Sequence, residues 1–204
     1  MTARRYPPEL FSDDDPERAL DVAEKVKFAC IQPEDGTLCD AVFAPFVIVQ
    51  RSGKALLEGH LVRTNPIYDL LMQGSLQCRL VFQAADGYVS PSIYAEKQKS
   101  GKVVPTWNYV AAQFFGTLNI VPQQDLLALL ENQVEQFELS QGSDWRLSDA
   151  PLDYIGQLSQ AVFGISFEPT RSRSHHKLSQ NRPSDKSAVI AWTQTLNTPY
   201  KSLA

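Results

Sequence analysis

Polar and aromatic side chains are concentrated in the stretch from Asp86 to Gly116, where an ordinary core strand would carry only apolar residues. Two β-rich runs, D-G-Y-V-S-P-S-I-Y and V-V-P-T-W-N-Y-V-A-A-Q-F-F-G, flank a charged gap. Hydroxyls and amides beside aromatic rings can hold a flat ligand, because the rings cover its faces and hydrogen bonds fix its edge. The candidate ligand-binding residues of this stretch are Ser90, Ser92, Tyr94, Thr106, Trp107 and Asn108, with Tyr88 and Tyr109 beside them.

The first of these runs places three polar groups at alternate positions. Ser90, Ser92 and Tyr94 would share one face of a strand, because successive side chains of a strand point to opposite sides. That face could contact a ligand, or it could simply be solvated. Pro91 indicates a bulge or an edge, which can aim side chains at a ligand.

The second run predicts a different division of roles. On a strand, Trp107 and Tyr109 share one face and Asn108 points to the other. Trp and Tyr fill cores and dimer interfaces more often than they stack on cofactors. We therefore expect Thr106 and Asn108 to form hydrogen bonds to a ligand, and Trp107 to be a wall or an interface residue.

His60, Arg63 and Asn65 form a candidate phosphate site, where a predicted strand at 55–62 ends and a predicted short helix at 66–72 begins. Backbone N–H groups and the helix dipole favour an anion at such a junction. The alternative is that Arg63 is a surface charge and Asn65 a turn or cap residue.

A late polar cluster offers a third set of candidates. Amide side chains donate and accept hydrogen bonds at once, as the edge of a heterocycle requires, and the cations could stabilise a negative charge on a ligand. The alternative is a disordered basic tail beginning at Arg171. The cluster consists of Lys177, Ser179, Gln180, Asn181 and Arg182.

The composition of the 204-residue chain narrows the function classes. A net charge of −4 argues against a generally basic, nucleic-acid-coating surface. Cys30, Cys39 and Cys78 form no C-x-x-C pair, so a reduced cytoplasm fits them better than a disulfide framework. The N-terminus does not read as a signal peptide, and no apolar run is long enough to span a membrane. We expect a cytoplasmic protein.

Two kinds of chemical site are not indicated by the sequence. The adjacent pair His175–His176 has no carboxylates at metal-ligand spacing, so we predict no metal site. No Ser-His-Asp or Cys-His arrangement can be derived from spacing, so we assign no catalytic residue.

The pattern of elements predicts an α+β protein, a closed or partly closed β-barrel with peripheral helices. There is no regular βαβ alternation, no G-x-G-x-x-G and no P-loop. The predicted helices lie at 15–27, 66–72, 123–139 and 148–164, with a weak one at 184–196. The predicted strands lie at 28–31, 38–49, 55–62, 76–84, 103–121 and 165–169, with a hairpin turn at 34–37.

Five segments of the chain, taken together, resemble the PaiB family of small FMN-binding proteins, often labelled negative transcriptional regulators. The resemblance runs in order from about Tyr6 to Leu196, and its motifs are specific as a set. The segments are Y-x-P-x-x-F (Tyr6, Pro8, Phe11), G-H-L-V-R-T-N-P (59–66), L-V-F-Q-A-A-D-G-Y-V-S-P-S-I-Y (80–94), V-V-P-T-W-N-Y-V-A (103–111) and K-L-S-Q-N-R-P (177–183).

This resemblance implies one FMN-binding split β-barrel domain over residues 1–204, related to pyridoxamine phosphate oxidase. A polar, partly helical C-terminal segment would begin at about residue 171. It also implies a homodimer with the flavin at the subunit interface. A flavin needs a cationic pocket for its phosphate, amides for its pyrimidine edge and aromatic walls for its ring.

The resemblance leaves three functional alternatives. The first is a flavin-binding transcriptional regulator that acts directly on DNA, through the duplicated basic C-terminal cluster, or indirectly. The second is an FMN-dependent oxidoreductase using reduced nicotinamide or another donor. The third is a pocket that has lost flavin or binds something else, because Phe43, Ile93 and His175–His176 replace residues common in the family.

Overall fold

The computed structural model describes residues 6–34, 36 and 41–195. Its strands are β1 (Ser12–Asp13), β2 (Phe28–Pro33), β3 (Val42–Arg51), β4 (Lys54–Val62), β5 (Leu76–Val89), β6 (Thr106–Ile120) and β7 (Val162–Lys177). Its helices are α1 (Pro16–Val26), α2 (Ile67–Gln73), α3 (Glu96–Lys99), α4 (Leu126–Gln141), α5 (Leu152–Gln160) and α6 (Lys186–Thr195). Single 3₁₀ turns lie at Glu9–Phe11, Pro91–Ile93, Gln123–Asp125, Leu147–Asp149 and Pro183–Asp185.

The chain divides into two compact units, each built from separate segments. The barrel unit consists of Lys27–Val81 and Phe114–Arg171. The cleft unit consists of the described parts of Met1–Val26, Phe82–Gln113 and Ser172–Ala204. Strands β5, β6 and β7 contribute residues to both units.

The barrel unit contains a closed antiparallel barrel of six strands. The strands follow one another in the order β7-β4-β3-β2-β5-β6, and β6 pairs back to β7. The register of β4 against β7 aligns Leu57 with Phe167 and Leu61 with Phe163. Closure leaves no unpaired sheet edge within this ring, which removes a site for unwanted strand pairing. The predicted α+β split barrel is confirmed.

Alternating apolar residues fill the barrel. Along β5, Leu76, Cys78 and Leu80 are buried while the residues between them are more exposed, as the predicted alternation requires. Two glycines allow neighbouring backbones to approach closely. A Cβ at Gly59 would lie 2.6 Å from the Pro45 carbonyl oxygen, and one at Gly116 would lie 2.1 Å from that of Glu168.

Helix α4 is joined to the barrel by one buried amide. Gln133, 2% exposed, donates from Nε2 to the Pro45 carbonyl at 3.3 Å and the Glu58 carbonyl at 3.4 Å. Its Oε1 lies 2.7 Å from His60 Nδ1. A carbonyl oxygen only accepts, so this contact requires the His60 tautomer with its proton on Nδ1. The helix predicted at 123–139 is observed as the 3₁₀ turn Gln123–Asp125 followed by α4.

The cleft unit combines α1 with strand ends and the C-terminal helix. Asp15 Oδ1 accepts a hydrogen bond from the Glu17 N–H at 3.0 Å, as a capping residue does at the start of a helix. Strand β1 pairs with the end of β7, aligning Ser12 with His175. Val89, Tyr94 and Val189 form a small buried cluster that packs α6 into this unit.

Two predictions of local structure are modified, and a third lies partly outside the described residues. The tail predicted from Arg171 is wrong up to Lys177, because β7 continues to that residue instead of ending at 169. The helix predicted at 148–164 is reduced to α5 and a preceding 3₁₀ turn. Parts of the turn at 34–37 and of the strand at 38–49, with Cys39, lie outside the described residues.

Candidate ligand-binding site

A cleft of about 210 Å³ opens in the cleft unit. It is bounded by the 3₁₀ turn before β1, the segment leading into β6 and the chain that follows β7. Its walls combine apolar side chains with amides, hydroxyls and two cations. The lining residues are Phe11, Tyr94, Val104, Pro105, Thr106, Asn108, Lys177, Ser179, Asn181 and Arg182.

Three side chains form a buried hydrogen-bonded group at this cleft. Ser179 Oγ lies 3.0 Å from Asn108 Nδ2, 3.1 Å from Asn108 Oδ1 and 3.2 Å from Tyr94 Oη. Asn108 is fully buried, Tyr94 is 2% exposed and Ser179 is 6% exposed. Buried polar groups are stable only when they are paired, so this group rigidifies the wall of the cleft.

The backbone at Ser179 explains how that serine reaches its partners. Its φ of 62° lies in the left-handed region. This turn redirects the chain immediately after β7, and the Arg182 N–H donates to the Ser179 carbonyl at 2.9 Å. A non-glycine residue in this conformation carries a steric cost, which the hydrogen bonds of its side chain offset.

Lys177 is held by two oxygens of the segment that begins β6. Its Nζ donates to Thr106 Oγ1 at 3.0 Å and to the Trp107 carbonyl at 2.7 Å. An ammonium has three N–H donors, so one donor is left after these two bonds. These two hydrogen bonds therefore hold the Lys177 ammonium in place at the cleft.

Arg182 supplies the second cation. Its guanidinium lies over the ring of Tyr94, 4.5 Å from the centroid, a distance typical of a cation–π contact. Within the described residues, no carboxylate forms an ion pair with it. None of the ten lining residues is acidic. The cleft is therefore electropositive.

The segment that carries Ser179 and Arg182 is tied to the chain around Tyr94. Asp185, 3% exposed, accepts a hydrogen bond from the Ala95 N–H at 2.9 Å through Oδ1. The Asp185 N–H in turn donates to the Arg182 carbonyl at 3.0 Å. These bonds connect the segment around Tyr94 to the late polar cluster around Arg182. The sequence had indicated these two segments as separate sets of candidate residues.

Seven of the candidate residues line the cleft: Tyr94, Thr106, Asn108, Lys177, Ser179, Asn181 and Arg182. Both the central stretch and the late polar cluster contribute to this set. Trp107 and Tyr109 lie on the face opposite the buried Asn108, as predicted. Three lining residues were not among the candidates: Phe11, Val104 and Pro105. The signals for them were the Y-x-P-x-x-F motif and the V-V-P that precedes T-W-N-Y.

The predicted alternation of Ser90, Ser92 and Tyr94 on a strand face is wrong. Strand β5 ends at Val89, and Ser90 instead caps the 3₁₀ turn at Pro91–Ile93. Ser90 Oγ accepts from the Ser92 N–H at 3.2 Å and lies 2.7 Å from Ser92 Oγ. The local turn and proline set this conformation, and of the three residues only Tyr94 reaches the cleft.

Two other predicted residues are engaged next to the cleft. Trp107 Nε1 donates to Asp86 Oδ1 at 2.9 Å, and its ring meets that of Tyr88 edge-on at 6.4 Å. Trp107 is 52% exposed. Gln180 spans its own turn: Oε1 accepts from the Leu178 N–H at 2.7 Å, and Nε2 donates to the His176 carbonyl. Their assignments as ligand contacts remain predictions.

The predicted phosphate residues His60, Arg63 and Asn65 lie in the barrel unit. His60 contacts Gln133, and Asn65 Oδ1 accepts from the Ile67 N–H at 3.1 Å, as a residue at a helix start does. Each side-chain nitrogen of Arg63 already donates to the protein. Its partners are the Gln160 carbonyl at 2.9 Å, Tyr68 Oη at 2.6 Å and Gln123 Oε1 at 2.6 Å.

The described residues contain neither a cluster that could hold a metal nor a helix that could span a membrane. No three His, Cys, Asp or Glu side chains there lie close enough to hold a metal ion together. None of the helices in that part of the chain is long and apolar enough to cross a membrane.

Sequence comparison identifies relatives of the whole fold. A family described as "Putative FMN-binding domain" matches residues 5–171. An uncharacterised protein of Emericella nidulans is 31% identical over 170 residues, covering 70% of this chain and 68% of that protein. The protease synthase and sporulation protein PAI 2 of Bacillus subtilis, a relative of the PaiB type, is 21% identical over 195 residues. That alignment covers 95% of this chain and 91% of PAI 2.

Solved structures show the same fold at low sequence identity. The FAD and heme binding protein from Mycobacterium smegmatis superimposes with a TM-score of 0.60 at 15% identity, over 87% of this chain and 79% of that one. The flavocytochrome Anf3 from Azotobacter vinelandii gives a TM-score of 0.56 at 12% identity, over 90% of this chain and 77% of its own. These structures show the fold, and the match over residues 5–171 shows that the chain belongs to the family described as "Putative FMN-binding domain".

Proposed function

We propose that this protein binds flavin mononucleotide and that the cleft supplies part of the binding site. The observation that carries the proposal is the composition of the cleft. Two positioned cations, Lys177 and Arg182, line it together with the hydrogen-bonding groups of Thr106 and Asn181, and no acidic residue is among its lining residues. This set suits an anionic, polar-edged ligand, and FMN carries both a phosphate dianion and a heteroatom-rich ring.

The size of the cleft limits how much of the cofactor it can hold. Ligand pockets commonly enclose roughly 300–1,000 Å³, whereas this cleft measures about 210 Å³. It can therefore accommodate one end of FMN but not the whole molecule. We propose that a second copy of the chain completes the site in a homodimer, in the cytoplasm, as the PaiB resemblance implies. A size measurement of the FMN-loaded protein tests this assembly.

When bound, a flavin supplies hydride and electron transfer, so the chain itself would bind, orient and shield it. The titratable groups lining the cleft are Tyr94, Lys177 and Arg182. Lys177 and Arg182 are cations, so they would hold negative charge of the ligand. Binding therefore has more support than catalysis.

We propose that the bound flavin serves regulation of gene expression. The support is the PaiB-type relative, a protein whose name links it to protease synthesis and sporulation. A net charge of −4 disfavours broad contact with DNA, so direct repression would need a local basic surface. A mobility-shift titration of duplex DNA at low salt tests this role. The absence of a shift with micromolar dimer would leave only indirect regulation.

The test of flavin binding is a titration of the full-length protein with FMN, followed by absorption and flavin fluorescence. We expect a shifted visible spectrum and saturable quenching. Asn181→Leu should weaken uptake, because it removes an exposed amide that lines the cleft, and Thr106→Val offers a milder change. The matched control Asn119→Leu alters an exposed amide of the barrel unit. An unperturbed FMN spectrum at millimolar protein would disprove the proposal.

The same FMN-titrated protein can be tested for redox activity. Reduction of the bound flavin by NADH or NADPH, with turnover on an acceptor, would support the oxidoreductase alternative over a purely regulatory role.

A further inference from the structure

We propose that ordered water molecules bind inside the cleft unit, along the face of β7 that carries Ser172, Ser174 and His176. One water bridges Ser172 to Ser174, and a second bridges Ser174 to His176. None of these three residues lines the cleft, so the site is separate from the proposed flavin site and does not depend on it. Its ligand is a small uncharged molecule that both donates and accepts hydrogen bonds.

Three side-chain polar atoms on this face are buried without a hydrogen-bond partner among the described residues. They are Ser172 Oγ, Ser174 Oγ and His176 Nε2. Ser174 is fully buried, and Ser172 is 6% exposed. A buried hydroxyl or ring nitrogen without a partner costs free energy, because folding removes its hydrogen bonds to bulk water. Most buried polar atoms in proteins are therefore paired with a protein group or with an ordered water.

The three side chains are spaced regularly along the strand. Positions 172, 174 and 176 alternate within β7, and alternate side chains of a strand point to the same side. Such neighbours are about 6.5 Å apart along the strand, too far for a direct hydrogen bond of about 2.8 Å between two hydroxyls. A water that bonds on both sides spans this gap when the side chains lean toward it. The spacing therefore favours bridging waters over direct contacts.

The charges beside this face favour a neutral ligand. The register of β1 against β7 aligns Asp13 with Ser174, so these two side chains lie on the same face. The Asp13 carboxylate is already engaged, because Oδ2 accepts from Arg18 Nη1 at 2.8 Å and Oδ1 accepts from the Asp15 N–H at 2.9 Å. This ion pair balances its own charge, so the face attracts neither an anion nor a cation strongly.

His176 is a neutral partner for such a ligand. Burial, together with Arg18, lowers the pKa of His176 against smaller opposing effects of Asp13 and Asp21, so the ring stays uncharged at neutral pH. A neutral imidazole has one nitrogen that donates and one that accepts, and a serine hydroxyl does both. Water matches either role at each position, and it is small enough for a closely packed interior.

The site supports the strand end that reaches the cleft. Lys177 directly follows His176 and lines the cleft. A polar network in which every member is paired rigidifies its surroundings, whereas unpaired buried groups destabilise them. The bridging waters therefore stabilise the end of β7 from which Lys177 extends.

The first test is a high-resolution crystal structure of the unmodified full-length protein, with the electron density inspected before any water is placed. We expect two peaks, each about 2.6–3.2 Å from Ser174 Oγ, one also in reach of Ser172 Oγ and the other of His176 Nε2. The absence of a peak beside Ser174 Oγ would overturn the proposal. Serine hydroxyls that are turned to backbone carbonyls instead would also overturn it.

Melting curves test the same site in solution. Ser174→Ala removes the hydroxyl that both waters share, so we expect the melting temperature to fall by roughly 2–6 °C. Ser187→Ala is the matched control, because Ser187 is an exposed serine of the same unit, and its melting temperature should not change. Circular dichroism verifies that each variant is folded.

The sign of the shift separates a hydrated hydroxyl from an unpaired one. Removing a hydroxyl that has no partner at all relieves a desolvation cost and raises the melting temperature. An unchanged or raised melting temperature of Ser174→Ala would therefore contradict the bridging waters. If Ser174→Ala does not fold, the density beside Ser174 in the unmodified protein decides the proposal.

Discussion

Ser179 and Asn108 contact each other through both polar atoms of the amide, with Ser179 Oγ 3.0 Å from Nδ2 and 3.1 Å from Oδ1. These residues are 71 positions apart in sequence. Their contact fixes the chain after β7 against β6, at the cleft. A hydroxyl can accept from the amide N–H₂ and donate to the amide oxygen, so one serine can satisfy both sides of a buried asparagine.

We predict that Ser179→Ala destabilises the protein by about 1–3 kcal/mol, because it leaves the buried Asn108 amide without a partner. Denaturant unfolding measures the change. Ser179→Gly separates the backbone from the side chain, because glycine adopts the φ of 62° without steric cost. It should therefore be less destabilising than Ser179→Ala. If both variants are as stable as the unmodified protein, the hydroxyl does not support this wall.

A second prediction concerns the close approach of β6 and β7. Gly116→Ala would place a Cβ 2.1 Å from the Glu168 carbonyl oxygen, a backbone atom that cannot turn aside as the end of a flexible side chain can. We expect a loss of about 1–3 kcal/mol or more of unfolding free energy. The matched control is Gly156→Ala in α5, where a Cβ meets no atom within 4 Å. That change should stabilise by roughly 0.5–1 kcal/mol, since alanine favours the helix. Equal effects at the two positions would contradict the predicted crowding.

A third prediction concerns thiol reactivity. Burial, with a smaller effect from Glu34, raises the pKa of Cys78 to about 12. At pH 8 only about one Cys78 thiol in ten thousand would be ionised, and the thiolate is the reactive form. Alkylation of the native protein followed by mass spectrometry should label the half-buried Cys30 and leave Cys78 unmodified until the protein unfolds. Rapid native labelling of Cys78 would show that the barrel opens there.

A fourth prediction concerns the pH dependence of stability. Burial, together with Arg18, lowers the pKa of His176, against smaller opposing effects of Asp13 and Asp21. The unfolded state therefore takes up a proton near pH 6.5, where the folded state does not. By linkage, His176 costs no stability above that pH and reduces stability as pH falls below it.

The measurement is the unfolding free energy between pH 7.5 and 5, obtained from urea titrations. His176→Gln, which keeps a polar side chain without a titrating ring, should lower the dependence on pH over this range. If the variant loses stability with acidification as steeply as the unmodified protein, His176 is not responsible. His176 Nε2 is buried without a hydrogen-bond partner among the described residues, so a protonated ring would be poorly accommodated.

Patterns of side-chain spacing predicted the barrel strands and helices well, because spacing follows directly from backbone geometry. Leu76, Cys78 and Leu80 alternate as a strand requires, and Leu126 and Leu129 of α4 are buried on one face. Ser90 and Ser92 also alternate, yet they belong to a capped turn. Alternation over three residues does not distinguish a strand from a turn when a serine can cap and a proline follows.

The end of β7 was missed for a related reason. From Arg171 onward the residues are polar, and polar strands carry little hydrophobic alternation to recognise. Their strand conformation comes from pairing with β1, including the Ser12–His175 alignment. Such pairing between distant segments stabilises sequences whose local propensity is weak.

The sequence by itself determined the class of fold, the family and the residue types of the cleft, because hydrophobic spacing and motifs can be recognised within short stretches of the chain. Only the tertiary structure decided which candidate residues act together. It showed that Ser179 joins Asn108 and Tyr94, that Arg182 lies over Tyr94, and that Arg63 donates to other parts of the barrel unit. Whether an arginine is free to bind a ligand depends on the groups that surround it in space, and those groups come from distant positions in the chain.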